Sequence, residues 1–389
     1  MRIDLNSLHV RVVQGEGGVR RLGELAAEYD ASRPLVVTDG GIVEAGHVGA
    51  ALTSLKERGL IPAVFDAVHE NPTTNDVLAC VESAQSHGAD LLIGLGGGSS
   101  MDAAKGCNFI LTNGGEMKDY LGIDKAQRPM LPFIAVPTTA GTGSECQRFA
   151  LISDPDTHQK MACGDSKALA RVAILDPALT LTQPEFVCAC SGMDAVTHAV
   201  ESAVTRPCTE VSRSYSIEAF RLLAMNLPRV VEAPDDLDAR AAVQIGAALA
   251  GAAIEHSMLG AAHSAANPLT AHYNVVHGQA VGNMLPTVVR FNGEDEAVAQ
   301  QYNELVRVGR LTNGEDFADA CETLAVWLEA LLDHLGLKKE ISAYGVTEDA
   351  LPGLAKEAAG QWTAQFNPRD VSVDVFRNFY SGIMTENTT

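Results

Sequence analysis

Asp90-Leu-Leu-Ile-Gly94-Leu-Gly-Gly-Gly-Ser-Ser-Met-Asp-Ala-Ala-Lys105 is the stretch on which the architecture turns. Asp90 to Gly94 is a short apolar run of strand length, a glycine cluster follows, and a helical pattern opens at Ser100. Glycines let a backbone approach a pyrophosphate closely, and a helix N-terminus adds free N–H groups and a favourable dipole. The spacing is not the usual G-x-G-x-x-G: counted from Gly94, the sixth position is Ser99. Taken alone, the segment fits either a phosphate loop or a structural turn.

The same alternation extends to both sides. Pro34 to Asp39 reads as a buried strand followed by a helical stretch through Glu57. Ile61 to Val68 reads as a second strand, Asn75 to Gln85 as a helix, and Pro132 to Val136 as another strand. Strands and helices alternating at this spacing indicate βαβ units and a parallel sheet covered on both faces. From Pro184 the pattern becomes helical: Cys190–Val204, an alanine-rich stretch from Leu237 to about Ala266, Glu296–Leu311 and Phe317–Leu335. Pro184, Pro207, Pro228, Pro234, Pro268 and Pro286 are expected at the boundaries of these helices. The expected organisation is a nucleotide-binding α/β domain over residues 1–183 and an all-helical domain over 184–389, with a cleft between them.

Bulk properties narrow the function classes. The chain has 389 residues, 46% of them hydrophobic and 5% aromatic, with 35 glycines and a formal net charge of -21. That charge opposes binding to nucleic acid or an anionic membrane. The N-terminal MRIDLNSLHV has no apolar signal core, and no run is expected to reach the ~18 apolar residues of a membrane span. The eight cysteines form no C-x-x-C pair, which fits free thiols in a reducing compartment. A cytoplasmic enzyme is the expectation.

Two further segments bear on nucleotide binding. Asp39 ends a strand, where a carboxylate accepts hydrogen bonds from adenosine ribose hydroxyls and repels a 2′-phosphate, favouring NAD over NADP; it equally fits a turn before Gly40-Gly41. Pro137-Thr-Thr-Ala-Gly-Thr-Gly-Ser-Glu145 follows a strand with hydroxyls and flexible glycines in one loop. For a metal, Asp194 and His198 stand four apart on one helix face. His263 lies near the end of the alanine-rich pattern, and His277 stands fourteen residues on. Three imidazoles and one carboxylate suit iron(II), with zinc as the other candidate, and suit magnesium or calcium poorly.

These motifs, in this order, resemble the iron-containing (group III) alcohol dehydrogenase family. The resemblance runs from Gly15-Glu-Gly-Gly18 through the Gly96–Lys105 and Pro137–Glu145 loops, Gly192-Met-Asp-Ala-Val-Thr-His-Ala-Val-Glu201, Gly260–His263 and Asn274–Gly278 to Asn367-Pro368-Arg369. It implies a Rossmann-like N-terminal domain and an all-α C-terminal domain in the dehydroquinate synthase-like arrangement. It implies one metal on Asp194, His198, His263 and His277, and cofactor contacts at Asp39, Asn71, Gly97, Gly98, Ser99, Asp102, Thr138, Thr139, Thr142, Lys160 and Leu179. The implied reaction is reversible hydride transfer between NAD and a small primary alcohol, diol or hydroxy-aldehyde, in a homo-oligomer built from dimers. One position departs from the pattern. Four residues after the third ligand many members carry a proton-relay histidine, and here Asn267 stands there, leaving His272 or solvent as the proton path. Phe149, Ile254, Trp362 and Phe366 are candidates for the pocket or for the core, and Arg148 and Arg369 for an anionic group or surface pairing. Two other readings remain: an NAD- and metal-dependent lyase of the dehydroquinate synthase type, and a non-catalytic nucleotide- or metal-binding relic.

Overall fold

The computed structural model describes residues 5, 8–156, 160–312 and 319–384. They fall into two units that separate between Gln183 and Pro184. In chain order the first unit runs β1 (Arg11–Gln14), α1 (Leu22–Ala27), β2 (Pro34–Val37), α2 (Gly40–Glu44), α3 (His47–Glu57), β3 (Ala63–Phe65), α4 (Thr74–His87), β4 (Leu91–Gly96), α5 (Gly98–Asn113), β5 (Gly122–Ile123), β6 (Phe133–Pro137), β7 (Phe149–Ser153), β8 (Lys160–Gly164) and β9 (Val172–Leu175).

Six strands form a sheet in the order β1-β9-β6-β4-β2-β3, and every pairing in it is parallel. Every residue of β2, β4, β6 and β9 is buried, as a parallel sheet covered on both faces requires. The chain lays β3 on one side of β2 and then crosses to lay β4 on the other. The carboxyl ends of β2 and β4 therefore form the point where the strand order reverses, the place where open α/β sheets take ligands. Asp39 follows the first of these strands and the glycine cluster follows the second. A second sheet, β5-β8-β7, joins a β7–β8 antiparallel hairpin to the short β5.

The helical unit comprises α6 (Glu185–Ser202), α7 (Glu210–Glu232), α8 (Leu237–Glu255), α9 (Ala261–Tyr273), α10 (His277–Asn292), α11 (Glu296–Gly309), α12 (Ala320–His334), α13 (Leu351–Gly360) and α14 (Val373–Gly382). Of the stretch expected from Phe317, residues 317 and 318 lie outside the described residues, as does most of Met1–Ser7.

Several expectations are corrected. The helical stretch after Asp39 is two helices, because Gly46 adopts φ +83 and turns the chain. The alanine-rich pattern is likewise two: α8 stops at Glu255 and α9 starts at Ala261, so His263 sits in the first turn of a helix and not near the end of one. Pro228, Pro268 and Pro286 lie inside α7, α9 and α10, where apolar packing outweighs the lost N–H bond. Pro184 does cap α6. Finally, α8 is long and apolar enough to cross a membrane, against the expectation for any segment; most of it is buried inside the helical unit, which makes it a core helix.

Candidate metal centre and nucleotide loops

α6 presents Asp194 and His198 one turn apart, and α10 opens on His277. The two helices meet backbone to backbone: a Cβ on Gly278 would stand 2.0 Å from the carbonyl oxygen of Cys190. Only glycine permits that approach, and it sets His277 beside Asp194. Around Asp194 Oδ1 stand His198 Nε2 at 3.3 Å, His263 Nε2 at 3.6 Å and His277 Nε2 at 3.9 Å. Donors about 2.1 Å from one tetrahedral ion lie roughly 3.4 Å apart, so these spacings match a shared metal and exceed ordinary hydrogen bonds.

Among the described residues, the ligand atoms of Asp194, His263 and His277 all lie within 4.8 Å of one another. Asp194 Oδ1 and His263 Nε2 are buried without a hydrogen-bond partner, a costly arrangement that a cation relieves. Burial works against the Asp194 carboxylate, yet His198, His263 and His277 together hold it well below the usual range. Burial likewise disfavours the His263 imidazolium, but the Glu201 and Asp194 carboxylates carry that ring up to about 9. The Nε2 proton is the one a metal must replace. With a 29% exposed side chain, His277 is the open side of an otherwise buried set.

In the α/β unit, the loops after β4 and β6 face each other. Thr139 stands over Gly97 and Thr142 over Gly98, 3.5 and 2.8 Å from where a Cβ would lie. Gly96 adopts φ +149, where a side chain would also collide with Ser100 Oγ. The Asp39 carboxylate caps α2 through the Ile42 N–H and accepts from Ser100 Oγ at 3.4 Å, which is the turn role its place before Gly40-Gly41 suggests. Thr138 Oγ1 is buried with no hydrogen-bond partner. Asp102 accepts from Ser144 Oγ at 2.9 Å; burial raises its carboxyl despite Lys105, Ser144 and Lys160.

Asn71 adopts a left-handed φ of +53, next to Pro72, whose carbonyl accepts from Ser153 N–H. Lys160, exposed, pairs with Ser153 in the hairpin. Leu179 contributes its side chain to the hydrophobic core of this unit.

Sequence reading passed over two groups. Lys105 is only 1% exposed. Its Nζ donates among Ser144 O, Ser144 Oγ, Gln147 O and Phe149 O at 2.6–3.0 Å, stapling the second loop to α5. Glu201, seven residues after Asp194 and so on the same helix face, bonds His263 Nδ1 at 2.5 Å. Its i+7 spacing was the available signal.

Of the proton-path candidates, Asn267 lies one turn after His263 and donates to Gln361 Oε1 at 3.2 Å. His272 lies nine residues after His263, on the opposite face at 100° per residue, exposed and 2.6 Å from Glu357. The structure does not bring it to the cluster. Arg369 stacks on Phe291 and pairs with Glu294, and Trp362 packs edge-on against Phe366.

A parallel sheet with a glycine loop at its switch point and a helical unit bearing an Asp/His cluster fit a nucleotide- and metal-dependent enzyme. Residues 10–177 match the model of the iron-containing alcohol dehydrogenases, and residues 188–384 match that of the C-terminal region of the same family. The chain belongs to the iron-containing alcohol dehydrogenase family. It is 32% identical over 362 residues to the NAD-dependent methanol dehydrogenase of Bacillus methanolicus, covering 93% of this chain and 94% of that one. It is 33% identical over 358 residues to the 1,3-propanediol dehydrogenase of Citrobacter freundii, covering 91% and 92%. The solved alcohol dehydrogenase from Oenococcus oeni superimposes with a TM-score of 0.92 at 30% identity, covering 97% and 98%. Such relatives favour hydride transfer over the lyase reading and an enzyme over a relic.

Proposed function

We propose that this enzyme catalyses reversible hydride transfer between NAD and a small primary alcohol, diol or hydroxy-aldehyde, with iron(II) on Asp194, His198, His263 and His277. The observation that carries the reading is the convergence of three imidazole nitrogens on Asp194 Oδ1 at 3.3, 3.6 and 3.9 Å. The donor set fits iron(II) and zinc. When bound, the metal polarises the alcohol or aldehyde oxygen and the nicotinamide exchanges hydride.

The remaining roles fall to the chain itself. Gly97, Gly98 and Ser99, at the N-terminus of α5, offer N–H groups to the cofactor diphosphate. Thr138, Thr139 and Thr142 supply hydroxyls from the opposite loop, and Asp39 takes the ribose hydroxyls and disfavours NADP. Asn71, Asp102, Lys160 and Leu179 complete the cofactor contacts in this proposal. Asn267 holds hydrogen bonds beside the cluster but does not titrate near neutral pH, and His272 is engaged with Glu357. The proton therefore leaves through solvent and hydroxyl groups. Free thiols throughout, all buried except the partly buried Cys208, support a reducing cytoplasmic setting. A homo-oligomer built from dimers is part of the proposal, and its mass in solution checks it.

The deciding experiment strips the metal with a chelator and follows NADH formation on a panel of small alcohols and diols. Turnover disappears and returns on adding iron(II), and NAD outperforms NADP. Full turnover after complete metal removal overturns the assignment.

A further inference from the structure

We propose that Glu201 is a positioning residue for the metal: it fixes the ring orientation and tautomer of His263 and thereby sets how tightly the ion is held. The inference rests on the metal reading above and goes beyond the four ligands.

Glu201 is 3% exposed, in the last turn of α6. With Asp194 and His198 it occupies positions 0, 4 and 7 of one helical stripe. Oε1 accepts the Ala262 backbone N–H at 2.7 Å and Oε2 meets His263 Nδ1 at 2.5 Å. Both contacts fall on the first turn of α9, where N–H groups have no partner within the helix and a carboxylate is favoured by the dipole. Ala262 can only donate. With the carboxylate accepting at both oxygens, the neutral ring a metal requires keeps its proton on Nδ1 and offers the lone pair of Nε2, the atom 3.6 Å from Asp194 Oδ1.

The neighbourhood is built to leave that carboxylate room. A Cβ on Gly260 would stand 3.1 Å from Glu201 Oε1 and 3.0 Å from Asn367 Oδ1. Asn367 takes the adjacent Ala261 N–H at 3.3 Å and is itself held by a reciprocal amide pair with Asn292 at 2.8 and 3.1 Å.

Glu201→Gln tests this. Glutamine has one acceptor where two donors must be met. If its oxygen keeps Ala262, its amide N–H faces Nδ1 and drives the imidazole proton to Nε2, the wrong tautomer for a ligand. Competition of the holoenzyme against a chromophoric chelator, with cobalt(II) or zinc, is expected to show 10- to 100-fold weaker binding, with an altered cobalt d–d spectrum and unchanged far-UV circular dichroism. Gly260→Ala displaces the carboxylate without removing it and is expected to weaken binding in the same direction; it stands in if Glu201→Gln does not fold. Affinity within twofold of the parent in the folded variant overturns the inference. Asp194→Ala and His263→Ala, run alongside, separate the two levels. If they retain metal, the metal reading fails; if they lose it while Glu201→Gln does not, only the role of Glu201 fails.

Discussion

Gly98→Ala probes the two proposed cofactor loops at their tightest mutual contact. The added Cβ would stand 2.8 Å from Thr142 Cγ2, 3.1 Å from its Oγ1 and 3.2 Å from its Cβ. Carbon atoms in ordinary contact sit about 3.5–4.0 Å apart, so the loops must part by roughly 0.7 Å at least. The loop end at Thr142 is expected to shift outward in the variant, and a cofactor that needs both loops in place then meets that strain on binding. Overpacking of this kind costs about 1–3 kcal/mol, which is about 5- to 140-fold in NAD affinity. NADH fluorescence titration of the purified variant reads it, with metal content as the control expected to stay constant. Thr142→Ser in the same chain deletes the colliding methyl, keeps the hydroxyl, and is expected to restore most of the affinity. NAD binding within twofold of the parent in Gly98→Ala, or no recovery in the double variant, refutes the idea that these two loops close on the cofactor together.

Lys105→Met keeps the length of the buried side chain and deletes its Nζ, leaving the carbonyls of Ser144, Gln147 and Phe149 without that donor. A loss of about 2–4 kcal/mol in urea-unfolding stability is expected, and a change below about 0.5 kcal/mol would show that the staple contributes nothing. Glu145→Gln addresses a buried carboxyl that desolvation pushes up to about 7, against backbone hydrogen bonding and Lys105, from an ordinary value of 4.5. Because the native state holds this proton longer than the unfolded chain, the parent is expected to lose stability relative to Glu145→Gln as pH rises from 4.5 to 7, by about 3 kcal/mol in all, and to stay level above that. Parallel stability–pH curves for the two proteins would contradict this.

How far the sequence reached depended on whether a signal was local. β2, β4 and β6 were legible because each is a short run buried on both faces. β1 and β9 were not read: Arg11-Val-Val-Gln14, exposed at both ends, reads as strand only once Val172–Leu175 lies beside it, and Val172–Leu175 was passed over although it is a buried apolar run like β2. The β7–β8 hairpin was missed as well, since its strands pair with each other and with the short β5, outside the main sheet. The breaks at Gly46 and at His256–Gly260 were hidden inside continuous helical patterns. Conversely, prolines were read as boundaries where tertiary packing kept Pro228, Pro268 and Pro286 inside helices.

The site divides along the same line. Asp194 and His198 announce themselves by spacing on one helix. His263 and His277 became partners through helix ends that no periodicity locates, one set by the turn before Ala261 and the other by Gly278 touching Cys190. The supporting groups were harder still, since a buried Lys105 or Glu201 looks from sequence like any charged residue on a helix. Their burial converts them from solvated charges into constraints: Lys105 closes three backbone carbonyls between Ser144 and Phe149, and Glu201 holds the Ala262 N–H and the His263 ring. Packing, not spacing along the chain, gives both residues their role. The proposed ligands are carried by α6, α9 and α10, and Asn267, one turn after His263 on α9, is held by Gln361, so replacing it is expected to alter the proton path more than the metal seat.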